Sequence, residues 1–389
     1  MAVPASAQVV KLMKRIRIEP RQGWQQKIED QGFVYYKDYY NESAAYAFHA
    51  GQIDALEEAT EEIFRMCNEV VGHVIDNQLW ADCHIPEAYA EMITASWQSN
   101  APSLYGRMDL AYNGKDIKLL EFNADTPTSL LEASVIQWYW LQDYHPGYDQ
   151  FNSIHEKLLD SMQHIKPQLL PGKLFFSCVH ESDEDYMTVK YLEDLAAQSG
   201  IDTGFLYLNE IGIDDRELFC TTEGELIRNI FKLYPWEWLF REEFGPYLVL
   251  NRLGNHWIEP AYKAILSNKM LLHFLYELFP HSPYILPCRY GAPLTQHYVK
   301  KPVFSREGAN ITIHQPYQAD EQTGGDYGDE GFVYQDYFPI PTHHSFTPVI
   351  GSWVIGGQAA GIGIRESAGR ITDNRSLFCP HYFVDQPIS

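Results

Sequence analysis

Four polar side chains, Arg107, Asp109, Glu121 and Asn123, sit inside two apolar, strand-like runs, Gly106-Arg107-Met108-Asp109-Leu110 and Leu120-Glu121-Phe122-Asn123-Ala124-Asp125. Side chains alternate across a strand, so Arg107 and Asp109 share one face, and Glu121 and Asn123 share a face on the next. Between the runs lies Asn113-Gly114-Lys115-Asp116, a hairpin signal because Asn-Gly readily supplies the positive φ angles such turns need. Pairing Asp109 with Glu121 and Arg107 with Asn123 puts all four on one surface; a slip of one residue separates them. Either run alone reads equally well as an edge strand with solvent-facing charges. Together they offer two carboxylates and an amide oxygen, hard ligands suited to Mg²⁺ that completes its shell with water and nucleotide phosphates.

A phosphate side is expected further along. Lys301 is embedded in a strand-like run, Tyr298 to Val303, and the loop that follows contains Arg306 and Gly308. An ammonium supplies a point charge, a guanidinium a fork, and a glycine lets backbone N–H groups approach phosphate oxygens. No GxxxxGK[ST] motif occurs in the chain, so this cation set gains meaning only beside the oxygen-rich face.

The elements that must position these groups follow from periodicity. Gly51 to Asp76 carries Ile53, Leu56, Ile63, Cys67, Val70 and Val74 at helical spacing, opposite Glu58, Glu61 and Glu69, an amphipathic scaffold helix. Ser129 to Tyr144 reads as helical. Lys173–Val179, Tyr186–Gln198 and Thr203–Leu208 read as strand, helix and strand, a βαβ unit. Its connecting loop, His180-Glu181-Ser182-Asp183-Glu184-Asp185, lies where open α/β sheets bind ligands. Its acids exceed what helix capping requires and are candidates to receive a cation. Phe231 to Phe244 reads as a Trp-rich helical region and Pro260 to Phe279 as a helix containing Lys269. Val349–Ile355 and Ala359–Ile364 form a hairpin over Gly356-Gly357 that ends in Arg365.

Composition narrows the class. The chain has 389 residues, 45% hydrophobic and 21% charged, enough for two or three subdomains. Its net charge of −23 repels polyanions, which argues against nucleic acid as a partner and is compatible with a cationic substrate such as a polyamine. Cys67, Cys83, Cys178, Cys220, Cys288 and Cys379 are scattered without a CxxC pair, as in reduced proteins. Lys11, Lys14, Arg15 and Arg17 are not followed by an apolar signal core, and the most apolar run, Met270 to Phe279, is too short to span a membrane. A cytoplasmic protein without membrane attachment is the expectation.

The motifs carry a family resemblance. Ser103 to Asp109, Leu119 to Ser129, Phe231 to Glu237, Leu266 to Lys269, Lys301 to Asn310 and Gly361 to Glu366 closely resemble the stand-alone acid–amine ligases related to the synthetase domain of glutathionylspermidine synthase, over a span from about residue 19 to the C-terminus. The resemblance implies an α+β, ATP-grasp fold, permuted because the metal strands precede the lysine strand. It implies an α/β pre-ATP-grasp-like substrate subdomain at 170–260, a lid at 261–345, a metal and phosphate core from 100–130 with 346–389, and no amidase domain. By matching positions, Asp109 and Glu121 hold one Mg²⁺ and Glu121 and Asn123 a second. Arg107 stabilises the transition state, Arg365 closes over the phosphates, and Met108, Asp109, Lys269, Lys301, Gly308, Gln335, Arg370, Ile371 and Thr372 join Arg107 around ATP. Thr126, Ser129, Glu184 and Asp185 face the substrates, the last two as an acidic pair for the amine.

The implied reaction is ATP-dependent amide formation between a peptide-like carboxylate and an amine, through an acyl phosphate. The small-molecule acid and amine are then the partners, with ATP and two Mg²⁺ as cofactors. This chain departs from the family at Ser129, where the synthases place a cysteine. It departs again at Leu233 and Trp238, where hydroxyl-bearing residues frame glutathione, and near Asp373-Asn374, where a basic residue is replaced. A catalytically reduced MgATP- or amine-binding protein and a small-molecule kinase or phosphatase are the competing readings.

Overall fold

A computed structural model of the chain describes residues 13–251 and 254–385; Lys11, first of the N-terminal basic residues, lies outside them. The hairpin forms where Asn113-Gly114 calls for it. Strands Tyr105–Tyr112 and Ile117–Asn123 pair antiparallel, with Arg107 opposite Asn123 and Asp109 opposite Glu121. Gly114 takes a φ of 92°, and Asn113 Oδ1 accepts the backbone N–H groups of Lys115 and Asp116. A bulge follows Asp109, a device that re-aims side chains beside a site.

Strand Thr347–Ile355 pairs with the Arg107 strand on its other edge, and Gln358–Ser367 and Leu377–Cys379 complete a five-stranded antiparallel sheet. Across this sheet Glu121, Asp109, Gly351 and Gly363 stand in one row. Two glycines therefore clear the surface next to Asp109, and Arg365 on the third strand can lean over it. The helix Ala50–Asp76 packs beneath, its Leu56, Ile63, Met66, Cys67, Val70 and Val74 buried and its Glu58, Glu61 and Glu69 exposed. Each such aliphatic side chain removed from water contributes roughly 1.5–3 kcal/mol, so the platform is held from below.

Two further sheets flank it. Strands His256–Ile258, Asn229–Lys232, Leu174–Cys178 and Thr203–Tyr207 lie in that order, all parallel, and helix Asp183–Gln198 makes the crossover between the last two. Phe231 and Lys232, expected in a helical region, are strand residues here; the helix that follows is only Trp236–Leu239, because β-branched and aromatic Ile230 and Phe231 fill a buried central strand. The third sheet is antiparallel, in the order Cys288–Tyr290, Phe332–Asp336, Tyr298–Pro302, Thr312–His314, Glu321–Gln322.

The expected helix from Pro260 to Phe279 is broken into Lys263–Leu266 and Met270–Leu278, with Lys269 at the break. Asn268 causes it: its side-chain oxygen accepts the Met270 N–H and its amide donates to the Cys83 carbonyl, side-chain bonds that compete with the helix ladder. Strands Lys14–Arg17, Ala44–His49 and His381–Val384 form a small sheet joining the two ends of the described chain. Arg15 from it makes a bidentate pair with buried Glu366, 2.6 and 2.7 Å, which also accepts the Tyr46 hydroxyl. All six cysteines are free and buried. Among the described residues no helix is long and apolar enough to cross a membrane.

Candidate active site

A cleft of about 260 Å³ opens between the sheet bearing Asp109 and the sheet bearing Lys301, and its far wall is supplied by the parallel sheet. Arg107, Asp109, Glu121, Asn123, Lys301, Gly308, Gln335, Arg365, Arg370, Ile371 and Thr372 all line it, with Thr126 and Asp185. Lys269 lines a smaller pocket that shares Glu121, Asn123, Thr126 and Arg306 with it. Of the residues matched to ATP, Met108 faces neither pocket. It occupies the opposite pleat, opposite Phe122, fully buried in the main hydrophobic cluster, so its side chain does not reach the cleft.

The cations are held by specific partners. Arg107 is 5% exposed; its Nε donates to Asp109 Oδ1 at 2.9 Å and its Nη1 donates to the Thr128 carbonyl. Arg365 Nη2 stands 3.6 Å from the other oxygen of Asp109. Gly351 leaves Arg107 its place: a Cβ there would lie 2.8 Å from Arg107 Cδ. Lys301 Nζ donates to Gln335 Oε1 at 2.7 Å and to the Leu120 carbonyl at 2.8 Å, and Gln335 donates in turn to the Leu119 carbonyl. Burial pushes the Lys301 ammonium down to about 8 against the opposing pull of Glu121. Lys269 Nζ reaches Glu121 Oε2 at 3.3 Å and donates to the Ser305 carbonyl. Burial opposes the ionised Glu121 carboxylate, but Lys269 and Lys301 outweigh it and hold the pKa well below the usual range. Asn123 donates to the other Glu121 oxygen.

The loop after Lys301 is anchored across the cleft. Arg306 donates to Thr126 Oγ1 and pairs with Glu237 at 2.8 Å, and its guanidinium lies 5.4 Å from the Trp238 ring centre. Gly308, at a φ of 68°, packs so closely on residue 372 that a Cβ would collide with the Thr372 carbonyl oxygen. Arg370 is fastened to Glu321 at 2.6 Å. Val179, Leu233, Pro235 and Trp238 give the far side an apolar lining.

Ser129 does not line the cleft. It takes a left-handed φ of 69°, its hydroxyl meets the Tyr39 hydroxyl at 2.5 Å, and its N–H points to Glu184 at 3.4 Å. Asp185 lines the cleft, while Glu184 lies behind it toward Ser129. Burial first and the charge of Glu184 second push Asp185 up to about 7. Sequence reasoning assigns no role to two acids, Glu237 and Glu132. Glu237 and Trp238 meet Arg306, and Glu132 is a fully buried carboxyl behind Glu184. An acid in the apolar run Leu130-Leu131-Glu132-Ala133 is the signal that points to the last.

The family model described as glutathionylspermidine synthase preATP-grasp matches residues 15–384. A Haemophilus influenzae protein bearing the name acid–amine ligase is 37% identical, over 96% of this chain and 100% of that one. Trypanothione synthetase of Crithidia fasciculata is 28% identical over 76% of this chain and 49% of its own length, and the bifunctional glutathionylspermidine synthetase/amidase of Escherichia coli is 24% identical over 80% and 54%. The chain thus spans about half the length of these last two. Among solved structures, a glutathione synthetase-like effector from Globodera pallida superposes with a TM-score of 0.57 at 10% identity, covering 94% of this chain and 98% of that one, a likeness of fold. The chain belongs to the glutathionylspermidine synthase family and is an enzyme of its ATP-dependent carbon–nitrogen ligase class.

Proposed function

We propose that the protein joins a peptide-like carboxylic acid to an amine, using ATP to activate the acid as an acyl phosphate. The observation that carries this is the convergence of Arg107, Arg365, Lys269 and Lys301 on Asp109, Glu121 and Asn123 around one cleft. The oxygen-only donor set fits Mg²⁺: Asp109 with Glu121 for one ion, Glu121 with Asn123 for a second. When bound, these ions neutralise phosphate charge. The reading of the architecture is a permuted ATP-grasp, with 261–345 as lid, 100–130 and 346–389 as metal and phosphate core, and 170–260 as substrate subdomain.

Lys301, Lys269, Gln335 and the backbone at Gly308 hold the nucleotide against Arg370, Ile371 and Thr372, and Arg365 closes over the transferred phosphate. A carboxylate oxygen of the acid attacks the γ-phosphorus in line, and the bond to the bridging oxygen of ADP breaks. The ammonium of the amine loses a proton to solvent, the free nitrogen attacks the acyl carbon, and phosphate leaves with the former carboxylate oxygen and takes up the second N–H proton. Arg107 stabilises charge at the acyl group, a role in which one preorganised donor is commonly worth about 3 kcal/mol. Thr126 borders the acid, and Asp185 with Glu184 receives the amine as its ammonium. No enzyme nucleophile is needed; burial pushes the Cys178 thiol, nearest the acidic loop, up to about 12.

Incubating the protein with MgATP and a metabolite extract, followed by mass spectrometry, tests the reading. It expects a new mass equal to acid plus amine less one water, accompanied by ADP and absent with Asp109→Asn. A phosphorylated small molecule in its place would assign the cleft to a kinase.

A further inference from the structure

Behind the amine position lies a carboxyl group that the proposed reaction does not use. Glu132 opens a π-helical turn, Glu132–Ile136, three residues after the left-handed Ser129. Both features are uncommon in regular structure and concentrate at functional sites. Glu132 is 0% exposed, and among the described residues neither of its carboxyl oxygens has a partner at hydrogen-bonding geometry. The groups that face it are the Tyr35 and Tyr39 hydroxyls, from the segment after helix Trp24–Glu29, and the Glu184 carboxylate, from the first turn of Asp183–Gln198. The Tyr35 hydroxyl is likewise buried without a partner, and that of Tyr39 meets Ser129. Among the described residues no lysine or arginine forms an ion pair with Glu132. Glu184 is faced by Arg365, Arg107, Glu307 and the Ser129 N–H.

The Tyr35 and Tyr39 hydroxyls favour the ionised form of Glu132, but a buried carboxylate without a cationic partner is costly, and burial outweighs them in favour of the proton. Burial first and the charge of Glu184 second raise the Glu132 pKa, and burial also raises that of Glu184. Two acids facing one another in a closed space hold protons jointly, as a pair. An ammonium docked on Glu184 would add the missing positive charge.

We infer that Glu132 and Glu184 form a carboxyl pair holding one proton in the free enzyme, and that docking of an ammonium against Glu184 expels that proton to solvent. Glu132 is thus a positioning residue: it couples occupancy of the amine position to the protonation of the acids behind it. The inference rests on reading Glu184 as part of the amine position. The balance is one ammonium bound and one proton released to buffer, with no bond to carbon made or broken.

Infrared difference spectroscopy reads the proton directly, because a neutral carboxylic acid has a carbonyl band separate from carboxylate bands. At pH 7 the wild-type protein should show such a band that Glu132→Gln loses, and 1,4-diaminobutane added with MgADP should abolish it. In Glu184→Gln the band should disappear at lower pH than in wild type, which keeps the test open if Glu132→Gln fails to fold. A wild-type spectrum without the band, or a band unmoved in either variant, overturns the inference. Amide synthesis alongside a band indifferent to the diamine also overturns it and leaves the ligase reading standing. A band abolished by the diamine in a protein that makes no amide supports the proton pair while refuting the ligase.

Discussion

Gly351→Ala gives a sharp test of how Arg107 is held. Gly351 sits opposite Asp109 on the adjoining strand, and an added Cβ would lie 2.8 Å from Arg107 Cδ and 3.4 Å from Cγ and Nε. Ordinary contact begins at 3.4 Å, so Cδ must retreat by about 0.6 Å. It has little room, because Nε is committed to Asp109, Nη1 to the Thr128 carbonyl, and the guanidinium rests 6.0 Å from the Trp353 ring centre. Overpacking of this kind costs about 1–3 kcal/mol of stability. A misplacement approaching 1 Å at a reacting centre costs about 10²-fold in rate. The expected outcome is turnover lowered about 30- to 100-fold, followed by coupled ADP release, in a protein that still folds with a modestly reduced melting temperature. Turnover within twofold of wild type would refute the claim that Arg107 must occupy this position.

Removing the ammonium of the fully buried pair Lys232–Asp125, 2.7 Å apart, with Lys232→Met should cost about 3–5 kcal/mol in urea denaturation, because Asp125 is left uncompensated. The double variant with Asp125→Leu should recover only part of it, since the Trp236 N–H then loses its acceptor. Asp185 is neutral below about 7, so affinity for the amine should rise about tenfold per pH unit toward that value and level off above it; Asp185→Asn should flatten the profile measured by KM. The same raised pKa makes the folded chain bind this proton more tightly than the unfolded one, so this group's contribution to stability declines as pH rises from about 4 to about 7. Gly308→Ala, with its Cβ driven against the Thr372 carbonyl oxygen, should weaken MgATP binding at least tenfold by calorimetry; unchanged affinity would detach that loop from the nucleotide.

How far the site can be read from sequence depends on how local its determinants are. The hairpin and its register are legible because strand alternation and Asn113-Gly114 act within 20 residues, and both appear in the pairing of Asp109 with Glu121. The βαβ unit is legible for the same reason. The insertion of Thr347–Ile355 beside the Arg107 strand has no local signal; it depends on glycines more than 200 residues downstream that clear the row beside Asp109. Met108 illustrates the limit of matching by motif, because one residue's step along the strand turns its side chain from the cleft into the core. The break at Lys269 is hidden by the strongly apolar run after it, in which a single Asn side chain ends one helix and caps the next. Glu132 is visible as an anomaly in an apolar run, but its neighbours Tyr35, Tyr39 and Glu184 come from elements some 50 to 100 residues away.

The central claim is that the acid is activated by phosphorylation before it meets the amine. An acid substrate whose carboxyl carries heavy oxygen tests it directly, with the released phosphate examined by mass spectrometry. Activation as an acyl phosphate predicts one heavy oxygen in phosphate for each amide formed, because the attacking carboxylate oxygen leaves with the phosphoryl group. Amide formation with phosphate free of the label would contradict the account.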